Sequence, residues 1–225
     1  MTKLSIIVPV LNEAPLIIRQ LRALQPYRER GVELVVVDGG SSDHTVKLSE
    51  PLADRVVVAK PGRAHQMNRG AELATGNLLL FLHIDSGLPE RAVDFIYAEG
   101  ESEKPCWGWF DVRLSNPAFI YRVIAACMNR RARLTRVCTG DQALFVSRGL
   151  FKEIGGFPEI PLMEDIAISK RLRRSVAPRV GPLRVTASSR RWEKQGILRT
   201  VMLMWKLRLL YFLGVSPEKL VARYY

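Results

Sequence analysis

Four short, mostly apolar runs, each followed within two residues by a polar or charged side chain, constrain this chain more than any other feature. They are LSIIVPV at 4–10, VELVVV at 32–37, VVVA at 56–59 and LLLFL at 78–82. Runs that are continuously apolar, rather than alternating, predict strands buried on both faces. The segments between them carry helical signals. Asn12, Glu13 and Pro15 open an amphipathic stretch over 16–24. Gly39-Gly40-Ser41-Ser42-Asp43 makes a polar strand-to-helix turn, and 64–74 reads as a helix with Gly76 as its C-cap. Strands alternating with helices predict an α/β fold with a doubly wound, mostly parallel sheet. Right-handed crossovers then bring the carboxyl ends of the strands to one edge, where such sheets bind ligands. Asp38, Arg63, His83 and Asp85 each follow a run, so one crevice is expected to hold all four.

The run at 78–82 ends on His83 and Asp85. Residues two apart on a strand project to the same face. An imidazole and a carboxylate together would make a partial shell for Mn²⁺ or Mg²⁺; the alternative is a capping Asp beside a hydrogen-bonded His. Beyond Pro89, a helix is expected over 91–98 and an antiparallel strand over 107–114. A helix over 119–136 starts apolar and finishes basic. Thr139-Gly140-Asp141-Gln142 leads into a short strand at 143–146, and Gly155-Gly156-Phe157-Pro158 forms a tight turn. Met163-Glu164-Asp165 opens a helix to Arg174, with Asp165 at the N-cap.

Charge and motifs narrow the function. Lys and Arg number 34 against 22 Asp and Glu, a net +12 that suits an anionic partner. Three cysteines without CxxC spacing read as reduced thiols. No GxGxxG follows the first run and no GxxxxGK[ST] occurs, which disfavours a Rossmann dehydrogenase and a P-loop NTPase. No nucleic-acid-binding signature appears, so nucleic acid is not an expected partner. The start does not read as a signal peptide, and the apolar segment 197–215 is interrupted by Arg199, Lys206 and Arg208. A cytoplasmic protein, in one version peripheral on the inner face of the cell membrane, is expected.

Taken together, SIIVPVLNE, VVVDGGSSDHT, FLHID and GGFPEIPLMEDIAISKRL resemble, in order, the motifs of the family 2 glycosyltransferases. These are GT-A-fold enzymes that use nucleotide-diphospho-sugars. HID, GDQ, SSRRW and the tail LRLLYFLGVSPEKL are closest to the subfamily called radical-SAM/selenodomain-associated transferase 2. Two departures stand out: His83 replaces the first Asp of the metal-binding DxD, and Ser188 holds the Gln position of QxxRW.

The resemblance implies a GT-A domain over 1–192, with a helical extension at 193–225. It implies an inverting transfer of one sugar from a nucleotide-diphospho-sugar, UDP-sugar favoured, to a hydroxyl acceptor, lipid-linked in one version. Asp165 would be the catalytic base. Pro9, Asn12, Glu13, Asp38, Arg63 and Asp85 would bind the donor, and Asp85 with His83 would hold Mn²⁺ or Mg²⁺. Asp141, Gln142, Glu164, Arg191 and Trp192 would line the acceptor side. The extension carries an apolar helical stripe through Ile197, Val201, Trp205 and Phe212, suited to packing on the domain, a homodimer or a membrane surface. The competing expectation is a non-catalytic nucleotide-sugar binder or membrane-surface scaffold, for which the His83 departure is the main support.

Overall fold

Every residue of the first strand, β1 (Leu4–Val10), is buried, as its unbroken apolar run requires. The structure, a computed structural model, describes residues 3–101 and 104–224. The other strands are β2 (Glu33–Asp38), β3 (Arg55–Val58), β4 (Leu78–Phe81), β5 (Trp107–Leu114), β6 (Leu144–Ser147) and β7 (Arg179–Ala187). Helices α1 (Ala14–Glu29), α2 (Thr45–Ser49), α3 (Arg63–Leu73) and α4 (Ala92–Gly100) connect the first half. In the second half come α5 (Phe119–Thr135), α6 (Arg148–Glu153), α7 (Glu164–Ser175), α8 (Arg190–Gln195), α9 (Ile197–Phe212) and α10 (Pro217–Tyr224).

The strands form one sheet in the order β3-β2-β1-β4-β6-β5-β7. Neighbouring residues of β1 feed opposite cores. Ile6 and Val8 join Ile17 and Leu21 of α1 and Val93 and Ile96 of α4, whereas Ile7 joins Met67 of α3 and Ile168 and Leu172 of α7. The expected α/β, mostly parallel architecture is present. One direction differs: β6 alone runs against its neighbours, β4 and β5, and β5 is parallel to β7. The reversed strand is therefore 144–147, and 107–114 runs with the majority.

Chain order reverses between β1 and β4, which makes their carboxyl ends the topological switch point. Pro9 marks the place where the two strands part. The carbonyl of Ile7 accepts the Leu82 N–H at 3.0 Å, and that of Val10 faces the other way, toward Gly39 at 2.9 Å. Alternation puts the missing N–H of Pro9 on the β4 side, where the ladder has already ended at Ile7 opposite Phe81. Proline in this central strand thus removes no ladder bond.

Two expectations about helix ends are corrected. Gly76 is not a C-cap: α3 closes at Ala74, and the Gly76 N–H donates to Ser5 Oγ at 2.9 Å. Asp165 is the second residue of α7, whose N-cap is Met163 at φ 70°. β7 has no counterpart in the sequence reading, since Gly181 and Pro182 interrupt its apolar pattern, and an edge strand tolerates both. The expected boundary after Trp192 falls inside α8, and α9 packs on the domain through Leu207, buried with Met163 and Ile166 at the start of α7.

Candidate functional site

The rim of the crevice is built by interlocking turns. Asp38, the last residue of β2, is 1% exposed. Its Oδ2 accepts the N–H groups of Gly40 at 2.8 Å and Ser41 at 2.7 Å, and its Oδ1 accepts the Ser41 hydroxyl. After β1, Asn12 adopts φ 53° and its Oδ1 accepts the Ser42 N–H at 2.9 Å, while the Glu13 N–H donates to Thr45 Oγ1 at 2.8 Å. Gln66 of α3 ties the two strand ends together, donating to the carbonyls of Val10 and Val37 at 2.8 Å each. The segments expected to bind the donor are therefore one fastened unit.

The end of β4 differs from expectation. The strand stops at Phe81, and residues 83–86 form a turn closed by the Ser86 N–H on the His83 carbonyl at 3.0 Å. Strand alternation no longer applies, and the two side chains have different partners. His83 Nδ1 lies 3.5 Å from Asp141 Oδ1, and the Asp85 carboxylate lies 4.0 Å from Arg190 Nη2. Burial raises the Glu13 carboxyl above its usual value and the nearby Asp85 charge raises it further, against the pull of Arg190 and Arg63. Glu13 and Asp85 thus share one corner of the crevice.

The opposite wall is the start of α7. Asp165 Oδ2 accepts the Gly140 N–H at 3.1 Å and Oδ1 accepts the Ile166 N–H at 2.7 Å. Burial raises its carboxyl above the ordinary value, opposed by those two N–H donors, Arg63 and His83. Glu164, 6% exposed, is raised by burial and then by Asp165. Burial would also raise Asp141, but His83 beside it, with Arg63 and Arg191, brings it below the usual range. Arg63 acts on Glu13, Asp141, Glu164 and Asp165 alike, which makes it the cation common to both walls. Gly140 is required by contact: a Cβ there would lie 2.2 Å from His83 Cε1. The loop into α7 is anchored by Asn68, which donates to the Phe157 carbonyl and accepts the Phe157 N–H, both at 2.9 Å.

Among known proteins, the sequence model described as "Glycosyl transferase family 2" matches residues 5–154. The chain belongs to this family. A PGL/p-HBAD biosynthesis glycosyltransferase of Mycobacterium bovis (strain BCG / Pasteur 1173P2) is 34% identical over 165 residues, 68% of this chain and 62% of the relative. The chain thus spans less than two thirds of that protein's length. Two solved structures share the fold. S. aureus TarS 1-349 in complex with UDP-GlcNAc has a TM-score of 0.67 at 19% identity, over 83% of this chain and 58% of that one. The mannosyltransferase PcManGT from Pyrobaculum calidifontis, in complex with GDP-Man and Mn²⁺, has a TM-score of 0.61 at 24% identity, over 82% and 56%. The architecture is the GT-A fold that the motifs implied.

Within this family 2 fold, not every expected residue faces the crevice. Gln142, expected on the acceptor side, is fully buried, and its Oε1 accepts the Thr139 N–H at 3.1 Å, so it holds the turn that presents Asp141. Trp192, expected on the acceptor side, is partly buried against a small core of Val112, Leu114 and Tyr121. Arg191 influences Asp141, yet its neighbour Arg190 is the residue that reaches Asp85. Besides Arg190, two contributors escape the sequence reading. Gln66 has no motif signal. Arg131 reads as one more cation of a basic helix end, but its Nε and Nη2 are buried without hydrogen-bond partners. Burial lowers the Arg131 guanidinium, with Asp165 opposing. Burial also pushes the Cys138 thiol up to about 12, which removes it as a nucleophile.

Proposed function

We propose that this chain is an inverting glycosyltransferase that moves one sugar from a nucleotide-diphospho-sugar, a UDP-sugar by preference, to an acceptor hydroxyl. The observation that carries this is Asp165: a carboxylate raised by burial, aimed by the Gly140 N–H and within the influence of Arg63 and His83, which follow the strand ends. Asp165 takes the proton of the acceptor hydroxyl as its oxygen attacks the anomeric carbon. The bond from that carbon to the diphosphate breaks on the opposite face, and the nucleoside diphosphate leaves with the electron pair. Arg63 and Arg190 offer forked donors to the departing phosphates. Glu13 would reach the ribose, and Asp38, buried and bonded to Gly40 and Ser41, would hold the turn beside it. The likeness to the radical-SAM/selenodomain-associated subfamily adds nothing about the sugar.

Among the described residues, no three His, Cys, Asp or Glu side chains gather as a metal cage. Asp85 nevertheless fits Mn²⁺ or Mg²⁺ of the kind bound by one carboxylate together with substrate phosphates. Bound there, the ion would neutralise charge on the leaving diphosphate. His83, engaged with Asp141, fits better as a support for the base side than as a second ligand.

The test is Asp165→Asn, read by donor binding and by transfer. Retained binding of the nucleotide-sugar, with turnover lower by roughly 10²–10⁴-fold, supports the base assignment. Unchanged turnover would sink it. A wild-type protein that binds donor but transfers to no hydroxyl would favour the non-catalytic binder.

A further inference from the structure

Helix α9 is apolar on two opposite sides. Thr200 and Leu207 are buried against the protein. Leu198, Met202, Trp205, Leu209 and Phe212 are 58–78% exposed. At 3.6 residues per turn, these five fall within an arc of roughly 80°, centred opposite the buried face. Monomeric proteins rarely leave so large an apolar stripe open without a use for it. The stripe has a neighbour. Trp192 and Ile197, where α8 meets α9, share a small core with Tyr121 and Ala125 of α5. The first turns of α5 expose Phe119 at 71%, Ile120 at 44% and Val123 at 39%.

Charge decides the occupant. Neither α5 nor α9 contains an acidic residue, and exposed Arg199 and Lys206 flank the stripe on one side with Arg208 on the other. A second copy docked through this face would set these cations against their own counterparts, since a two-fold interface pairs a patch with itself. An anionic lipid surface accepts both features, taking the apolar side chains below its headgroups and the flanking cations among them. No helix among the described residues is long and apolar enough to cross a membrane, so α9 would lie in the interface plane.

We propose that α9, with the start of α5, docks the protein on an anionic bilayer. Arg190, at the start of α8, approaches Asp85 at 4.0 Å, so the docked face adjoins the crevice. An acceptor hydroxyl carried on a lipid would then reach Asp165 without leaving the membrane. That last step rests on the transferase reading; docking itself does not.

The experiment needs no turnover. Wild-type protein is mixed with vesicles of phosphatidylcholine alone, or of phosphatidylcholine with phosphatidylglycerol, and partition is read by co-sedimentation. Trp107 and Trp109 are fully buried and Trp205 is 72% exposed, so a blue shift of fluorescence that disappears in Trp205→Phe reports the helix itself. The expected result is binding to the anionic vesicles, weakened by salt and reduced at least about tenfold in Trp205→Glu/Phe212→Glu. These sites are exposed, so the variant should keep its fold and its donor-induced thermal shift. Absence of wild-type binding to anionic vesicles would overturn the proposal, as would equal binding of the double variant. A soluble dimer that this variant abolishes would also overturn it and assign the face to a second copy.

Discussion

Gly140 concentrates the chemistry of the crevice in one position. Its N–H aims Asp165, and its lack of a side chain lets the His83 ring lie against it while Nδ1 meets Asp141. In Gly140→Ala, the new methyl would meet His83 Cε1 at 2.2 Å, inside any allowed contact. Either the ring swings off Asp141 or the backbone withdraws from Asp165. We expect turnover to fall roughly 10²-fold, the scale of an ångström-sized misplacement of a catalytic group, with donor binding retained. Weakening the N–H donor to the carboxylate also moves the acid limb of the rate profile upward, because the anion loses a stabilising hydrogen bond. A pH profile of kcat/KM identical to wild type would mean that the Gly140 contact has no part in placing the base. Asp165, Asp38 and Asp85 are marked as candidates in the sequence by local motifs. Arg190 and Arg131 are not. Each sits in a run of cations, and only tertiary packing decides that Arg131 is buried and that Arg190 reaches Asp85.

At the scale of elements, the site depends on α3 lying close on β1 and β2. Gly70 permits that approach: a Cβ there would stand 2.4 Å from Ile7 Cγ2 and 3.0 Å from Val37 Cγ2. Ile7 and Val37 are fully buried in the sheet and have no room to yield. Gly70→Ala should therefore lift the helix and cost about 1–3 kcal/mol, as overpacking does, measured as a lower urea midpoint. It should also weaken donor binding, because Gln66 and Arg63 ride on the same helix. An unchanged midpoint would show that helix and sheet can slide apart at no cost. The β-α-β rhythm that places α3 is readable from the runs alone. The direction of β6 and the existence of β7 are not, because four apolar residues carry no orientation and Gly181-Pro182 breaks the pattern of an edge strand.

At the scale of the whole molecule, folding and the proposed chemistry pull against each other. Glu33 is buried, which raises its carboxyl, but hydrogen bonds from Ser5 and Thr75 bring it below its usual 4.5; Asp141 likewise lies below 3.8. A carboxyl lowered by folding adds stability above its unfolded value and loses it as pH falls through the folded one. Asp165 and Glu164 are raised, so they do the reverse: they burden the fold at neutral pH, and the burden lifts on acidification. The topology explains why the cost is tolerated. The switch point between β1 and β4 is the place where the sheet opens, and a carboxylate proposed as a base there is useful only when sheltered. The net +12 gives no hint of this adjacent acidic pair, whose setting depends on α7 docking under the loop held by Asn68. Asp165→Asn keeps the oxygen that accepts from Gly140 or Ile166 but removes the charge. We expect it to melt at a higher temperature than wild type at neutral pH, with the difference narrowing as pH falls toward the ordinary aspartate value of 3.8. Thermal unfolding of the two proteins across that range decides the matter. If the variant is the less stable at neutral pH, the hydrogen bonds to the anion outweigh its burial, and the carboxylate is held by attraction instead of under strain.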